Sequence, residues 1–191
     1  LLAGARMLWL GRFDPAAVVS LLPRATVFMG VPTLYVRLLG ERGLTREACA
    51  NMRLFISGSA PLLIETFEAF RERTGHTILE RYGMSETAML TSNPYSPVQG
   101  ERRGGTVGFA LPGVQLRVRV TDENGDTRDA GTDEIGNIEV DGPNVFAGYW
   151  RRDDATAKAF TTDGFYRTGD LAEMSDDGYI TLLGRRSDLI I

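Results

Sequence analysis

The chain has 191 residues, 43% of them hydrophobic and 24% charged, so it can bury a core and form one domain or two small ones. A net charge of −4 provides no basic footprint, which argues against a nucleic acid partner. With one cysteine, Cys49, and one histidine, His76, the chain has no disulfide framework or cysteine metal cluster, and a Ser-His-Asp hydrolase is disfavoured. Its apolar stretches are too short to span a bilayer and it lacks the pattern of a signal peptide, so we expect a cytoplasmic protein with no membrane partner.

Strands and helices alternate in the first part of the chain. Residues 26–31 form a continuous apolar run, as expected for a strand buried on both faces, and Pro32 then opens a helix. A second strand is predicted at residues 53–57. It leads into a helix starting at Pro61, because the fixed φ of proline suits a first helical turn. With a third strand at residues 77–81, this order predicts an α/β fold with a parallel βαβ subdomain.

The pattern changes to antiparallel β structure after about residue 104. Residues 116–120 alternate between apolar and polar, and Asn124-Gly125 is typical of a tight hairpin turn. Further short strands are predicted at residues 138–140 and 179–182. The division we expect is an α/β subdomain at 1–104, a smaller antiparallel β subdomain at 105–183, and a final segment at 184–191.

Residues 81–87, Arg-Tyr-Gly-Met-Ser-Glu-Thr, concentrate groups that could hold a nucleotide. An aromatic ring can stack on a base, hydroxyls can donate to phosphate, and a carboxylate can bind Mg²⁺, which prefers oxygen ligands. The same residues also fit a strand that ends in a glycine turn. Two further regions favour nucleotide binding: Ser-Gly-Ser-Ala-Pro-Leu at 57–62, and Tyr-Arg-Thr-Gly-Asp at 166–170 followed by Leu-Gly-Arg-Arg-Ser-Asp at 183–188.

In their order and separation, these motifs resemble those of the adenylate-forming acyl-CoA synthetase family, from about Val27 to the last residue. The family's phosphate loop and its C-terminal domain with a catalytic lysine have no counterpart in the sequence. The chain therefore resembles a fragment of the large N-terminal domain, and we expect the isolated fragment to be inactive. Its only lysine, Lys158, is predicted on a surface helix. Residues 184–191 would begin the hinge, at Ser187 where the family usually has Asp or Lys.

The resemblance implies roles for individual residues. Tyr82 would stack on adenine opposite residues 58–60. Asp170, expected in a turn after Thr168 and Gly169, would bind the ribose hydroxyls, and Arg185 would reach the ribose or the phosphates. Ser85 and Glu86 would be catalytic, with Glu86 binding Mg²⁺. The full set implied to bind ATP or AMP is Gly58, Ser59, Ala60, Pro61, Glu80, Arg81, Tyr82, Gly83, Met84, Ser85, Asp170 and Arg185.

The segments that would bind the acyl group look more like those of malonyl-CoA synthetases than those of fatty or aromatic acyl ligases. They are residues 30–39, 57–63, 80–87, 91–95 and 142–146. A dicarboxylate needs a cation for its second carboxylate, and Arg37 is the candidate because it lies among apolar helix residues. The implied reaction uses ATP, Mg²⁺ and CoA to activate malonate or methylmalonate. A medium-chain or branched acyl-CoA synthetase and a non-catalytic nucleotide-binding module are the alternatives. The implied acyl-binding residues are Arg37, Ser57, Gly83 and Met89, with Val107 as a further lining residue.

Overall fold

The computed structural model describes residues 4–185. The chain divides into two compact units, Leu1–Leu79 and Glu80–Ile191. Residues 4–185 contain no helix that is both long and apolar enough to cross a membrane.

The first unit combines helices with a parallel pair of strands. Its helices and strands are α1 (Pro15–Leu21), β1 (Val27–Gly30), α2 (Pro32–Leu39), β2 (Leu54–Ser57) and α3 (Ile64–Thr74), followed by the start of β3 (Ile78–Met84). Strands β1 and β2 pair in parallel, with Val27 opposite Leu54 and Gly30 opposite Ser57. The predicted strand–helix alternation and the parallel pairing are confirmed.

An aromatic cluster forms the centre of the first unit. Tyr35, Phe55 and Phe70 are completely buried, and the ring of Phe70 meets the edges of the other two at centroid distances of 5.4 and 4.8 Å. Edge-to-face pairs of this kind add about 0.5–1.5 kcal/mol each beyond their buried area. The cluster fixes α2 and α3 against β2, and hence the positions of the loops that follow the strands.

Two local expectations for the first unit are wrong. Helix α3 begins at Ile64, because Leu63 is in an extended conformation (φ −63°, ψ 139°), so Pro61 lies in the preceding loop. Strand β1 is buried on one face only: Val27 and Met29 are exposed, while Phe28 packs on Tyr35. Side chains alternate between the two faces of a strand, and the face with Val27 and Met29 is exposed, so a fully apolar sequence does not imply full burial here.

The second unit is antiparallel. The described part of this unit contains the end of β3, β4 (Ala88–Ser92), β5 (Phe109–Ala110), β6 (Gln115–Thr121), β7 (Thr127–Asp129), β8 (Gly136–Asp141), α4 (Asp153–Ala159), β9 (Tyr166–Met174) and β10 (Ile180–Arg185). Strands β3, β4 and β5 pair antiparallel, and five strands form a second sheet in the order β10-β9-β8-β6-β7. The hairpin turn predicted at Asn124-Gly125 joins β6 to β7.

The boundary between the units lies after Leu79, earlier than the predicted boundary near residue 104. The reason is packing: Tyr82, Leu90 and Val107, from the hairpin and the segment after it, share one core with Ile138 and Val140 of the second sheet. The hairpin therefore groups with the antiparallel strands.

Candidate functional site

The loop between β3 and β4 is a three-residue hairpin connection. Residues 85–87 form the turn, and the Thr87 amide donates to the Met84 carbonyl at 3.2 Å. Ala88 closes the turn with φ +51°, a left-handed conformation that is uncommon for any residue except glycine. Ser85 is exposed, and Glu86 is half-buried at the tip of the turn.

The close approach of β3 and β4 explains the glycine at position 83. A Cβ on Gly83 would lie 2.0 Å from the Ala88 carbonyl oxygen, so another side chain would push the strands apart. The pairing register also shifts between Tyr82 and Gly83, as expected at a β-bulge. Hairpin geometry alone requires this glycine, and its contact with an acyl group remains a prediction.

Glu86 is held by the segment that follows β8. Its Oε1 accepts a hydrogen bond from the Tyr149 hydroxyl at 3.1 Å, and its backbone carbonyl accepts one from the Phe146 amide at 2.8 Å. The Tyr149 and Tyr166 hydroxyls are 3.3 Å apart. The backbone and the carboxylate of Glu86 thus have separate partners, which restrict where the carboxylate can point.

The same segment supports the rest of the hairpin loop. The Asn144 side-chain amide donates to the carbonyls of Thr87 at 2.6 Å and Met89 at 3.3 Å. Thr87 is completely buried, while the Met89 side chain is partly exposed. These contacts fix the backbone on both sides of Ala88.

Asp170 lies on β9 with a buried carboxylate. Its Oδ2 accepts a hydrogen bond from the Tyr82 hydroxyl at 2.5 Å, and its Oδ1 is 3.4 Å from Nε of Arg185. Its amide donates to Oγ of Thr168 at 3.1 Å. Tyr82 and Asp170 are each only 8% exposed. Through these contacts the structure brings together Tyr82, Asp170 and Arg185, which the sequence assigns to a nucleotide.

Asp170 was expected in a turn after Thr168 and Gly169, and this expectation is wrong. These residues lie within β9, where burial alternates: Tyr166, Thr168 and Asp170 face inward, while Arg167 and Gly169 are exposed. Alternation along a strand places residues i, i+2 and i+4 on one face. Gly169 has φ +79°, a left-handed conformation that glycine adopts readily and that is common in turns.

Burial changes the acidity of the tyrosines in this region. The pKa of Tyr82 is raised, first by burial and then by its hydrogen bond to Asp170. The pKa of Tyr166 is also raised, first by burial and then by the hydrogen bond with Tyr149. Both hydroxyls therefore remain protonated at neutral pH, and Tyr82 remains a donor to the carboxylate.

In the first unit, the loop after β2 has an unusual backbone conformation. Ser59 has φ +70°, although it has a side chain, and strain of this kind tends to occur at functional sites. The side chains of Ser59, Ala60 and Pro61 are exposed, and Gly58 is half-buried. The loop therefore presents small residues to the surface, as expected for a segment against which a flat adenine ring could lie.

An apolar pocket of about 470 Å³ lies beside this loop. Its lining includes Ala60, Pro61 and Leu63 from the loop before α3, and Val31, Pro32 and Val36 from the start of α2. The pocket thus connects the predicted adenine wall to part of the predicted acyl-binding segment.

Ser57, at the end of β2, is completely buried. Its Oγ is among the buried side-chain atoms of the described residues that have no hydrogen-bond partner. An unpaired hydroxyl at the carboxyl end of a parallel strand is suited to a ligand group, since open α/β sheets bind ligands at that end.

Arg37 does not lie in the apolar interior as the sequence suggested. It is exposed in the last turn of α2, and its guanidinium lies 4.7 Å from the centre of the Phe13 ring. The buried residues of this helix are Tyr35 and Leu38, two positions before and one after Arg37. The predicted role of Arg37 in acid binding therefore cannot rest on burial and remains a prediction.

The other predicted residues differ in exposure. Glu80 is buried, and its backbone carbonyl accepts from the Asn93 amide at 3.0 Å. Arg81 and Met84 are half-buried on β3. Val107 is 4% exposed in the core of the second unit, and its place in an acyl pocket remains a prediction. The expected hinge position, Ser187, lies outside the described residues.

The sequence interpretation missed Tyr149, Asn144 as a support for the hairpin, and the contact between Tyr82 and Asp170. Tyr149 reaches Glu86 across 63 positions of sequence, and no local pattern indicates such a contact. Tyr166 could have been found from the period-2 alternation of β9.

Glu86 offers a half-buried carboxylate at the position that the sequence assigns to Mg²⁺. Residues 4–185 contain no group of three or more His, Cys, Asp or Glu side chains that could hold an ion. Mg²⁺ often keeps several waters and uses one or two carboxylates together with substrate phosphates, so a single half-buried carboxylate fits this mode of binding.

Comparison with known proteins identifies related sequences and folds. Residues 1–150 match the family model described as AMP-binding enzyme. A malonate–CoA ligase of Arabidopsis thaliana is 41% identical over 85% of the chain and 26% of that protein. The ATP-bound crystal structure of MatB from Rhodopseudomonas palustris is 52% identical, with a TM-score of 0.89 over 96% of the chain and 35% of that structure.

A second solved structure is a malonyl-CoA ligase in a ternary product complex with methylmalonyl-CoA and AMP. It is 42% identical, with a TM-score of 0.81 over 95% of this chain and 38% of that one. The chain spans between 26% and 38% of the length of the first curated relatives that it matches.

Proposed function

Since the chain belongs to the AMP-binding enzyme family, we propose that the protein it forms part of is an ATP-dependent acid–CoA ligase that activates malonate or methylmalonate. The observation that carries this proposal is the buried carboxylate of Asp170 beside the buried ring of Tyr82. A carboxylate can accept from a ribose diol while an adjacent ring stacks on a base.

The remaining nucleotide contacts follow the sequence assignment. The loop at residues 58–61 stays assigned to adenine by its sequence, and Ser85 would donate its exposed hydroxyl to phosphate. Glu86 would hold Mg²⁺ together with the phosphates, which would neutralise part of their negative charge. Tyr149 would keep the Glu86 carboxylate oriented through its 3.1 Å hydrogen bond.

The reaction consists of two displacements. A carboxylate oxygen of the acid attacks the α-phosphorus of ATP, an acyl–O–P bond forms, and pyrophosphate leaves with the electrons of the broken P–O bond. The CoA sulfur, as thiolate, then attacks the acyl carbon and AMP leaves as the thioester forms. The contribution of this chain is to position the nucleotide and to stabilise charge that develops during the first step.

The choice of acid rests on sequence likeness. The Arabidopsis relative is named as a malonate–CoA ligase, and a similar solved structure is a complex with methylmalonyl-CoA and AMP. We assign the second carboxylate to Arg37, whose guanidinium is exposed and lies beside the Phe13 ring. The cytoplasmic location expected from the sequence remains part of the proposal.

Acid-dependent exchange of labelled pyrophosphate into ATP tests the proposal, because it measures adenylate formation alone. The full-length protein should catalyse exchange with malonate or methylmalonate and much less with octanoate. Preference for octanoate would support a medium-chain acyl-CoA synthetase instead. Nucleotide binding without exchange for any acid would support a non-catalytic module.

A further inference from the structure

The carboxylate of Asp170 retains acceptor capacity after its observed contacts are counted. A carboxylate offers about four lone-pair positions. Tyr82 occupies one position on Oδ2 at 2.5 Å, and Arg185 lies 3.4 Å from Oδ1. Each oxygen therefore keeps a position for a ligand hydroxyl, and two adjacent hydroxyls match two adjacent oxygens.

Within residues 4–185, the carboxylate of Asp170 has Tyr82 and Arg185 as partners, and they restrain it to different degrees. The Arg185 side chain is 62% exposed, so its ion pair is screened by water and can dissociate readily. The Tyr82 hydroxyl is buried and donates to a carboxylate, and a hydrogen bond to an ionised acceptor is stronger than one between neutral groups. Tyr82 is thus the partner that sets the direction of the carboxylate.

Both ends of this bond are fixed to the core of the second unit. The Tyr82 ring packs in the cluster that contains Leu90 and Ile138. On the other side, the Asp170 amide donates to Oγ of Thr168, whose hydroxyl donates to the Ile138 carbonyl at 3.1 Å. Neither residue can turn without disturbing buried neighbours.

We propose that the Tyr82 hydroxyl is a positioning group that orients Asp170 for the ribose diol, so that one tyrosine serves base stacking through its ring and ribose selection through its hydroxyl. This inference rests on the proposed function, since it concerns the same nucleotide. Tyr82 is a positioning residue in this respect because its hydroxyl acts on the ribose through Asp170.

The test separates the hydroxyl from the ring by comparing two nucleotides. Dissociation constants for ATP and 2′,3′-dideoxy-ATP are measured for the full-length protein and for its Tyr82→Phe variant. Protein concentrations are corrected for the fraction of molecules that can bind a nucleotide. The wild type should prefer ATP by roughly tenfold or more, because two hydroxyls donate to a charged acceptor. Tyr82→Phe should lower this preference by roughly fivefold or more while leaving affinity for the dideoxy nucleotide within about twofold.

Two further variants serve as controls. Tyr179→Phe removes another buried tyrosine hydroxyl of the second unit, one that donates to the Glu101 carbonyl at 2.5 Å, and it should leave the preference for ATP unchanged. Asp170→Ala should abolish the preference, and adding Tyr82→Phe to it should then have no further effect on the ratio. Thermal unfolding confirms that each variant is folded.

The possible results distinguish the two claims. A wild type that binds both nucleotides equally would overturn the ribose role of Asp170, and with it the nucleotide site proposed above. A wild type that prefers ATP, together with a Tyr82→Phe variant that keeps the full preference or loses affinity equally for both nucleotides, would overturn only the positioning role of Tyr82.

Discussion

At the scale of single residues, Glu86 depends on neighbours that are distant in sequence. Its carboxylate accepts from Tyr149, and its backbone accepts from Phe146. Partners that orient a metal ligand commonly change metal affinity or activity by about 10–100-fold when they are replaced. The effect of the Tyr149 hydrogen bond can therefore be tested separately from the effect of the Glu86 carboxylate.

We predict that Glu86→Gln and Tyr149→Phe both raise the Mg²⁺ concentration needed for half-maximal adenylate formation. Glu86→Gln removes the charge that binds the ion. Tyr149→Phe removes the hydrogen bond that orients the Glu86 carboxylate, and it should raise the half-maximal Mg²⁺ concentration by about tenfold. The measurement is a Mg²⁺ titration of pyrophosphate exchange at fixed ATP, accompanied by Mg²⁺-dependent quenching of a fluorescent ATP analogue as a binding readout.

The matched control for the tyrosine is again Tyr179→Phe, since its hydroxyl bonds to a backbone carbonyl rather than to Glu86. Its titration should match that of the wild type. If Glu86→Gln also gave the wild-type titration curve, Glu86 would not be a metal ligand.

Arg37 tests the choice of acid. If its guanidinium receives the second carboxylate of malonate, Arg37→Leu should lower kcat/KM for malonate by about 10–100-fold, because a hydrogen bond to a charged group contributes about 1.5–3 kcal/mol. Activity with butyrate should remain the same or rise, since butyrate has no second charge. The measurement is kcat/KM for both acids.

Arg42→Leu provides the control, because Arg42 is another exposed arginine of the same unit. It should leave both kcat/KM values unchanged. Equal losses for malonate and butyrate in Arg37→Leu would instead indicate a structural role, consistent with the packing of Arg37 on Phe13.

At the scale of secondary-structure elements, the β3–β4 hairpin carries much of the candidate site, and Gly83 is the residue on which its geometry depends. We predict that Gly83→Ala lowers the free energy of unfolding by about 1–3 kcal/mol, because the added methyl group must displace the Ala88 carbonyl. Urea unfolding followed by intrinsic fluorescence measures the change.

Gly131→Ala is the matched control: its Cβ would lie 3.6 Å from the nearest atom, an Oε2 of Glu134, and so would fit without displacing backbone. It should change stability by less than about 0.5 kcal/mol. A Gly83→Ala protein as stable as this control would show that the hairpin tolerates the wider separation.

The elements themselves were largely predictable from the sequence. Apolar runs, Pro32 and the Asn124-Gly125 turn correctly predicted β1, α2 and the β6–β7 hairpin, because each rests on local backbone chemistry. The start of α3 was missed because proline suits both a first helical turn and an extended loop. Strand β9 was missed because its glycine suggested a turn.

The candidate site was less predictable than the fold. Motif resemblance identified Tyr82, Asp170 and Arg185, which the structure brings together. It could not reveal the hydrogen bond between Tyr82 and Asp170 or the one between Tyr149 and Glu86, because each joins residues more than 60 positions apart. For Arg37, apolar neighbours in sequence suggested burial, whereas the helix turns its guanidinium outward.

At the scale of the whole molecule, buried tyrosines link the stability of both units to alkaline pH. The pKa values of Tyr35, Tyr82 and Tyr166 are all raised, in each case chiefly by burial. In the unfolded chain these groups lose their protons near pH 10. The folded state therefore binds more protons above that pH, and the free energy of unfolding should fall as pH rises.

We predict that this stability is fully present below about pH 10 and decreases progressively above it. Urea unfolding of the full-length protein at pH 8, 9, 10 and 11 measures the change. Tyr35→Phe should give a shallower decrease, since one raised pKa is removed. A decrease equally steep in the variant would mean that Tyr35 does not contribute.

The most direct test of ATP-dependent malonate activation is the product balance of the full-length protein supplied with ATP, Mg²⁺, CoA and malonate, measured by mass spectrometry and nucleotide chromatography. We predict malonyl-CoA, AMP and pyrophosphate in equal amounts, and none of them when malonate is omitted. Formation of ADP and phosphate, or the absence of a CoA thioester with any carboxylic acid supplied, would contradict the account.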